Sequence, residues 1–486
     1  MKLRELLAEI EGSYESLGDL DTEIASVSAN SREKTDRGVF FCVPGARFDA
    51  HDFAPQAVQN GCVALVVDHF LPGVSAAQIR VENVRAAMAV MAAAFYGWPS
   101  RSMRLVGITG TKGKTTTSYM VKAICEKAGL KCGLIGTTGN MIGEERMESH
   151  LTTPDPIELQ STLRKMADAG VQVVVMEVSA HAIDMHRLKG MEFEVGCYTN
   201  LSQDHLDYFG TMDAYFETKK RFFTSGMVRN AVINADDDTS ERILRDLKVP
   251  RLTYGISVNA DLFARDIEIE ESGWRFSTIL QSVQTVPITL RLLGTFNVYN
   301  ALAAAGCAMV LGIKEEDIRA GLESVKSVPG RVEQLDTHTP YRVVLDYSHS
   351  PDALRNILET LRVFTRGRLI ALFGCGGDRD QGKRPIMGEI GGQLADYCIL
   401  TSDNPRSEDP MKILSAIEKG IKPTGKPYVV IENRREAIRH ALTMAKDGDV
   451  IVLAGKGHET YQEIAGVRHP FDEKVVVAEL LQEMRG

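Results

Sequence analysis

The chain has 486 residues, 44% of them hydrophobic and 25% charged. This ordinary globular composition excludes a disordered or collagen-like chain and, at about 100–200 residues per domain, leaves room for about three cores. Lys plus Arg number 56 against 65 Asp plus Glu, a net charge of −9, which argues against a general nucleic-acid binder and leaves open a local cationic pocket for a small anion.

The N-terminus, MKLRELLAEIEG, spaces leucines helically among charges and has no apolar core segment, so it is not a signal peptide. The polar NSREKTDRG (30–38) leads into the strand-like VFFCVPG, and HDFAPQAVQNGCVALVVD (51–68) reads as a helix followed by a buried strand. The run from Ala86 to Tyr96 is shorter than the roughly 18 residues a membrane span needs, so it predicts an Ala-rich core helix and no membrane insertion. GWPSRSMR (97–104) has the composition of a linker. Eight scattered cysteines with neither CxxC nor metal-ligand spacing predict reduced thiols in a cytoplasmic protein.

A βα unit follows: the strand MRLVGIT (103–109), a Gly-rich turn, and a helix from Thr115 to about Ala128. Asp155 and Pro156 suit an N-cap and first helical position, the helix should run to Gly170, and VQVVVMEVSA (171–180) reads as a fully buried strand. Such alternation predicts a parallel sheet covered by helices on both faces. DLFARDIEIEE (261–271) and GWRFSTILQ (273–281) suggest antiparallel strands appended to it. From SVPGRVEQL onward, strand-like YRVVLDY, RLIALFG, YCILTSD, YVVIEN and DVIVLAG alternate with helical stretches, a second doubly wound domain. The fold class is therefore α/β with three domains, 1–100, 101–327 and 328–486.

Gly110-Thr111-Lys112-Gly113-Lys114-Thr115-Thr116 lies between strand and helix, where glycines let backbone N–H groups close on phosphates, Lys114 can reach the β and γ oxygens, and Thr115 can ligate Mg²⁺. The strict GxxxxGK[ST] pattern wants glycine where this chain has Ile108. Such a loop fits a kinase, an ATPase, a GTPase or a ligase. Glu177 closes its strand beside the loop strand and is placed to hold Mg²⁺, with His205 beside Asp204 and the pair Lys219 and Lys220 further on. Taken singly, each of these also suits a solvated or structural role.

In order, GTKGKTT, TTPDP (152–156), MEVSAHAI (176–183), YTNLSQDHLDYFG (198–210), YFETKKRFF, LGTFNVYNALAA (293–304), PGRVE (329–333) and DYSHSPDAL (346–354) resemble the motifs of the Mur ligases, ATP-dependent enzymes that join amino acids to the peptidoglycan precursor. The resemblance spans essentially the whole chain. It implies an N-terminal uridine-nucleotide domain, a central P-loop ATPase domain and a C-terminal Rossmann-like domain. It implies transfer of the γ-phosphoryl of ATP to a carboxylate, attack of an amine on the acyl phosphate, and release of phosphate. ATP would be held by the 110–116 loop with Asn297, Arg331, Asp346 and His349. Lys114, Thr115, Glu177 and His205 would hold phosphates and Mg²⁺, and Lys219 would be carbamylated by CO₂, its new carboxylate bridging to a metal; Lys220 leaves a one-residue alternative.

The same resemblance implies small-molecule substrates; a monomer is expected, and the charge balance speaks against a nucleic-acid partner. UDP-N-acetylmuramoyl-L-alanyl-D-glutamate would meet Ser31, Arg32, His51, Thr152, Thr153, Ser179, Arg187 and carbamylated Lys219. The chain departs from the family pattern at Ala180, Ile183 and Met185, where a thioether cannot replace the hydrogen bonds of a glutamine amide. Asp403-Asn404-Pro405-Arg406 resembles the members that add meso-diaminopimelate, with Arg379, Gly455 and Glu459 completing the pocket. A planar guanidinium can grip the second carboxylate that lysine lacks. L-Lysine as the added amino acid, a folylpolyglutamate synthase, which lacks the N-terminal uridine-nucleotide domain, and a P-loop nucleotide switch are the alternatives.

Overall fold

A computed structural model of the protein describes residues 1–10, 12–45, 48–147, 149, 151–257, 260–270, 273–280, 283–284 and 287–485. The chain divides into two compact units: Met1–Phe263 with Ile279–Val283 and Tyr299–Gly321, and Ala264–Thr278 with Gln284–Val298 and Leu322–Gly486.

The first unit holds two sheets. The N-terminal one orders its strands Glu15–Leu17, Ala77–Arg80, Cys62–Val67, Gly38–Phe41, Ser26–Ser28, parallel except for the first. Period-2 alternation divides its strand residues between two cores. Val39, Phe41 and Val66 face the helix Val84–Phe95, while Phe40, Leu65 and Val67 pack on the helix Ala54–Gln59. The Ala-rich run is thus a core helix, as its composition predicts. GWPSRSMR is not a solvated linker. Pro99 and Ser100 are buried in a 3₁₀ turn, and the Arg101 guanidinium stacks 3.9 Å over the Trp98 ring.

The second sheet of this unit runs Arg251–Gly255, Val228–Asn234, Phe193–Tyr198, Arg104–Thr109, Val173–Glu177, Cys132–Gly136, all parallel, and then turns antiparallel at Gly139–Ile142 and Glu145–Met147. Arg104–Thr109 is central, and its two neighbours come later in the chain on opposite sides. That is a topological switch point, where doubly wound sheets bind ligands. Leu262–Glu270 begins parallel to Arg251–Gly255, correcting the antiparallel expectation for that strand; Gly273–Leu280 does pair antiparallel, with Ile288–Leu290. Residues 271 and 281 of the two stretches lie outside the described residues.

The second unit carries a six-stranded sheet ordered Glu333–Leu335, Arg342–Asp346, Val450–Ala454, Leu369–Phe373, Tyr397–Leu400, Tyr428–Val430, parallel except for its first pair. Val344, Ala371 and Val452 enter one core and Leu345, Ile370 and Ile451 the opposite one. This explains why the strands read as unbroken apolar runs. A hairpin, Tyr461–Ile464 with Val467–Pro470, follows the last parallel strand. All eight cysteines are buried and unpaired.

Candidate active site

Register brings the ends of three strands together in the first unit, with Glu177 opposite Ile108 and Tyr198 opposite Thr109. The glycine-rich loop leaves the central strand at Gly110 (φ +146°) and enters the helix Lys114–Lys127 at Gly113 (φ +86°). A Cβ would lie 1.9 Å from Thr199 Oγ1 at the first and 2.4 Å from Asn300 Oδ1 at the second, so neither position tolerates a side chain. The segment Thr199–Asn200 templates the loop. Thr111 N–H donates to the Asn200 carbonyl at 2.9 Å and Lys112 N–H to Asn200 Oδ1 at 2.9 Å, while Asn200 Nδ2 and Thr199 Oγ1 donate to the Lys112 carbonyl at 3.1 and 2.7 Å. Sequence reading gave Thr199, Asn200 and Asn300 no role, although their motifs had been noticed. Only the three-dimensional approach of the loop shows what they hold.

Lys114 Nζ donates to the Gly110 and Thr111 carbonyls at 2.9 and 3.0 Å. Thr115 and Thr116 are buried in the first helical turn. Thr115 Oγ1 donates to Glu177 Oε2 at 3.0 Å, and Thr137 donates to the same carboxylate through its N–H and hydroxyl, both at 2.9 Å. A buried carboxylate beside a P-loop hydroxyl is an oxygen donor set that fits Mg²⁺.

Lys219 is 1% exposed, on the helix Met212–Thr224. Its Nζ donates to the Gly110 carbonyl at 2.9 Å and lies 4.6 Å from the Tyr215 ring centre. Burial holds its pKa well below the usual lysine value and the nearby Lys114 ammonium pushes the same way, against Asp204. Lys220 instead pairs with Asp246 and Glu217, which raise its pKa. Of the two, Lys219 is the one held against the loop as a readily deprotonated amine.

His205 takes a left-handed conformation (φ +54°) before the short helix Leu206–Phe209. Its ring meets His181 edge-to-face at 4.8 Å and lies 6.0 Å from Tyr215, whose hydroxyl is 3.4 Å from Thr111 Oγ1. The His205 side chain stays 45% exposed, and its partial burial lowers its pKa; burial takes that of His181 down to about 4. Both imidazoles are therefore neutral at pH 7, the form a metal ligand needs.

Thr152, Thr153, Ser179 and Arg187 gather behind Glu177. Thr152 Oγ1 lies 3.1 Å from Thr137 Oγ1, Thr153 Oγ1 donates to the Glu177 carbonyl at 2.8 Å, Ser179 N–H donates to Thr153 Oγ1 at 3.0 Å, and Arg187 Nη1 donates to the Thr153 carbonyl at 2.6 Å. Asp155 precedes the helix Pro156–Asp168 as expected, yet its carboxylate makes no cap bond and pairs with Arg187 Nε at 3.0 Å. Arg187 Nη2 lies 3.6 Å from the Met185 sulfur.

In the N-terminal sheet, Ser31 Oγ donates to Gln56 at 3.1 Å and Arg32 is exposed. His51 does not turn outward with them. Its Nδ1 is 2.6 Å from Asp49 Oδ1, its Nε2 accepts the Asp68 N–H at 3.3 Å, and its ring stacks on His69. Among the described residues, His51, Asp68 and His69 form the only cluster of three His, Cys, Asp or Glu ligands close enough for one metal ion.

In the second unit the polar loops leave the carboxyl ends of neighbouring strands. Asp346 Oδ2 accepts the Val332 N–H at 2.8 Å, and burial raises its pKa. Arg331 lies 5.0 Å over the Tyr347 ring, and the His349 ring packs on the same tyrosine. The Tyr347 hydroxyl donates to Glu459 Oε1 at 3.3 Å, so a residue given no role from sequence joins two motifs. Asn297 Nδ2 donates to the Leu293 carbonyl at 2.7 Å.

Asp403 and Asn404 are buried, and Asn404 Nδ2 donates to Glu459 Oε2 at 2.8 Å. Arg406 is left-handed (φ +51°) and donates to the Gly377 carbonyl at 2.8 Å; its Nε is 3.6 Å from Glu463. A Cβ at Gly377 would lie 1.9 Å from the Pro405 carbonyl, and one at Gly455 (φ +119°) 3.2 Å from Asp403 Oδ2. Arg379 is exposed on the same group of loops. The hairpin Tyr461–Pro470, absent from the sequence reading, braces the Asp403–Arg406 loop: Arg406 N–H donates to the Glu463 carbonyl at 3.0 Å, Gln462 Nε2 to the Asp403 carbonyl at 2.7 Å, and Glu463 N–H to Asn404 Oδ1 at 2.9 Å.

A P-loop at a switch point, backed by a buried carboxylate and a buried lysine, is the site of a nucleotide-using enzyme. Family patterns sharpen this. Residues 23–96 match the catalytic domain of the Mur ligase family, 108–308 the Mur ligase middle domain, and 330–457 the Mur ligase glutamate ligase domain. The chain belongs to the Mur ligase family and is an ATP-dependent ligase of the acid–amino-acid class. It is 44% identical, over 100% of both chains, to the UDP-N-acetylmuramoyl-L-alanyl-D-glutamate--2,6-diaminopimelate ligase 1 of Clostridium acetobutylicum. With the ligase of the same name from Caldanaerobacter subterraneus it shares 45% identity over 99% of each. A solved structure of a UDP-N-acetylmuramoyl-L-alanyl-D-glutamate--2,6-diaminopimelate ligase superposes with a TM-score of 0.71 at 32% identity, covering 100% of this chain and 99% of that one. Among the described residues no helix is long and apolar enough to cross a membrane.

Proposed function

We propose that this chain joins meso-2,6-diaminopimelate to the D-glutamate carboxylate of UDP-N-acetylmuramoyl-L-alanyl-D-glutamate, with ATP driving the reaction through an acyl phosphate. Residues 1–100 take the uridine nucleotide, 101–327 the triphosphate and 328–486 the amino acid. The loop N–H groups and Lys114 hold the β and γ oxygens. The substrate carboxylate attacks the γ-phosphorus as ADP leaves; the diaminopimelate amine then attacks the acyl carbon and phosphate departs. Two anions meet in the first step, so cancelling their repulsion is the main task of the site. Thr115, Glu177, His205 and a carbamylated Lys219 would hold Mg²⁺, which supplies that neutralisation. Asn297, Arg331, Asp346 and His349 contribute to ATP binding.

Lys219 suits carbamylation because its buried nitrogen is readily neutral. The neutral nitrogen bonds to the carbon of CO₂ and loses one proton, so that a neutral amine becomes a carboxylate; counted from the ammonium, two protons leave. Thr152, Thr153, Ser179 and Arg187 form a compact polar group beside Glu177 for the dipeptide end. Ser31 and Arg32 meet the nucleotide directly, and His51 shapes the loop next to them.

The observation that carries the choice of amino acid is Arg406, held by the Gly377 carbonyl and beside Glu463, on the same loop as the buried Asp403 and Asn404. The guanidinium suits a distal carboxylate and the acids a distal ammonium, whereas L-lysine brings Arg406 no carboxylate to add to the Gly377 carbonyl and Glu463 that it already holds. The match of residues 23–96 to the Mur ligase family speaks against a folylpolyglutamate synthase, and a nucleotide switch would leave this second cluster without a role. The test is phosphate release from ATP and Mg²⁺ with the UDP-dipeptide and either meso-diaminopimelate, L-lysine or no amino acid, with products weighed by mass spectrometry. A tripeptide product with diaminopimelate alone is expected. Equal use of lysine would overturn the role of Arg406, and turnover without amino acid and without product would overturn the ligase reading.

A further inference from the structure

The loop between Gly455 and Glu459 buries a lysine that the reaction scheme above does not use. Lys456 is 0% exposed. Its Nζ donates to Asn404 Oδ1 at 3.1 Å and to Glu459 Oε2 at 3.2 Å, and lies 3.8 Å from Asp403 Oδ1. A buried ammonium is costly unless paired, so these partners account for its burial, but they also do something for the pocket. Glu459 Oε2 receives both Lys456 and Asn404 Nδ2, and its Oε1 receives the Tyr347 hydroxyl, so this carboxylate has few acceptor positions left. Asp403 Oδ1, by contrast, is buried and accepts no hydrogen bond, the Lys456 ammonium 3.8 Å away being its ion-pair partner.

We propose that Lys456 is a specificity-determining positioning residue: lying 3.2 Å from Glu459 Oε2 and 3.8 Å from Asp403 Oδ1, it offsets one of the two negative charges of this carboxylate pair, so that the pair presents a single net negative charge to the distal ammonium of the incoming amino acid. This rests on the amino-acid site proposed above. Lys456 also orients the Asn404 amide, whose Oδ1 accepts from Lys456 and from Glu463 N–H while its Nδ2 is aimed at Glu459. Without the cation, the buried Asp403 and the half-buried Glu459 carboxylates repel, which blurs the match to one ammonium.

The experiment compares Lys456→Met, Lys456→Arg, Glu459→Gln and the double variant Lys456→Met/Glu459→Gln by KM for the amino acid, KM for ATP and thermal midpoint, using whichever amino acid the unaltered enzyme accepts. If that is not diaminopimelate, the functional reading fails while the role of Lys456 is still measured. Lys456→Met should raise the amino-acid KM at least tenfold with the ATP KM within about twofold, and the double variant should recover at least threefold of that loss, because the isosteric glutamine restores the charge balance. Lys456→Arg, which keeps the charge in a larger group, should lie between. Losses in the two single variants that simply multiply in the double variant, or equal rises in both KM values, would overturn the proposal and leave Lys456 a structural residue. If Lys456→Met does not fold, Lys456→Arg and the double variant decide by the same criteria.

Discussion

The two polar clusters of this molecule are built to opposite electrostatic designs. Around the P-loop, Lys114 and Lys219 share the Gly110 carbonyl and the nearest buried acid is Glu177. Around the Asp403–Arg406 loop, Lys456 and Arg406 are interleaved with Asp403, Glu459 and Glu463. The first sets Lys114 and the loop's N–H groups against a single buried acid and suits a triphosphate; the second interleaves paired charges of both signs and suits a zwitterion. An anion needs charge and backbone donors, whereas an amino acid with charges at both ends needs each sign at its own place. The two clusters should therefore fail differently when broken.

The largest effect is expected at Lys219. Lys219→Ala should lower kcat by at least about a hundredfold, the scale seen when a preorganised electrostatic group is lost, because the carbamate that would hold Mg²⁺ goes with it, and short carboxylates such as acetate should restore part of it by filling the place of the carbamate. Steady-state rates with and without added carboxylate decide this; activity near the unaltered level would remove Lys219 from the mechanism. Arg406→Ala, in the balanced cluster, should raise the KM for diaminopimelate by about 5- to 150-fold, the equivalent of about 1–3 kcal/mol for an unpaired charged hydrogen bond, with the KM for ATP unchanged. Equal rises in both would erase the distinction between the clusters.

A subtler consequence lies in the depressed pKa of Lys219. Between that lowered value and about 10.5, its ordinary value, the unfolded chain binds a proton that the folded chain does not. Stability should therefore rise with pH through this window and level off above it, by at most about 1.4 kcal/mol per pH unit. Urea unfolding in CO₂-free buffer, comparing the unaltered chain with Lys219→Met, measures the difference. The variant should lack this part of the rise, and an unchanged slope would mean that Lys219 keeps its proton in the fold.

The same contrast explains what could be read from sequence. The first cluster is local: a loop, the end of the neighbouring strand and one helix, each marked by a run such as GTKGKTT or VVVMEVS. The parallel strands of both units were legible for a related reason, since burial on both faces leaves continuous apolar runs. The second cluster is braced from outside by the hairpin Tyr461–Pro470, whose partly or fully exposed residues form no apolar run. Its Gln462 and Glu463 act by reaching back to Asp403 and Asn404, contacts 59 residues apart. His51 misled for the complementary reason. A histidine in a polar stretch reads as a contact, but its ring nitrogens are engaged by Asp49 and Asp68, and only the packing of two loops reveals that.

Met185 offers the smallest and most local test. A glutamine at this position would give Arg187 an amide oxygen in place of a sulfur 3.6 Å away. The guanidinium is already held by the Thr153 carbonyl at 2.6 Å and by Asp155 at 3.0 Å, so the added bond contributes little to its placement. Met185→Gln should lower the KM for the UDP-dipeptide by about two- to fivefold, corresponding to roughly 0.5–1 kcal/mol for one further partly solvated bond, and leave the KM for the amino acid untouched. A change above tenfold would mean that Arg187 is not yet anchored and that the thioether departure reshapes the dipeptide site. A change in the amino-acid KM would show the two clusters to be coupled, which their separate charge designs do not require.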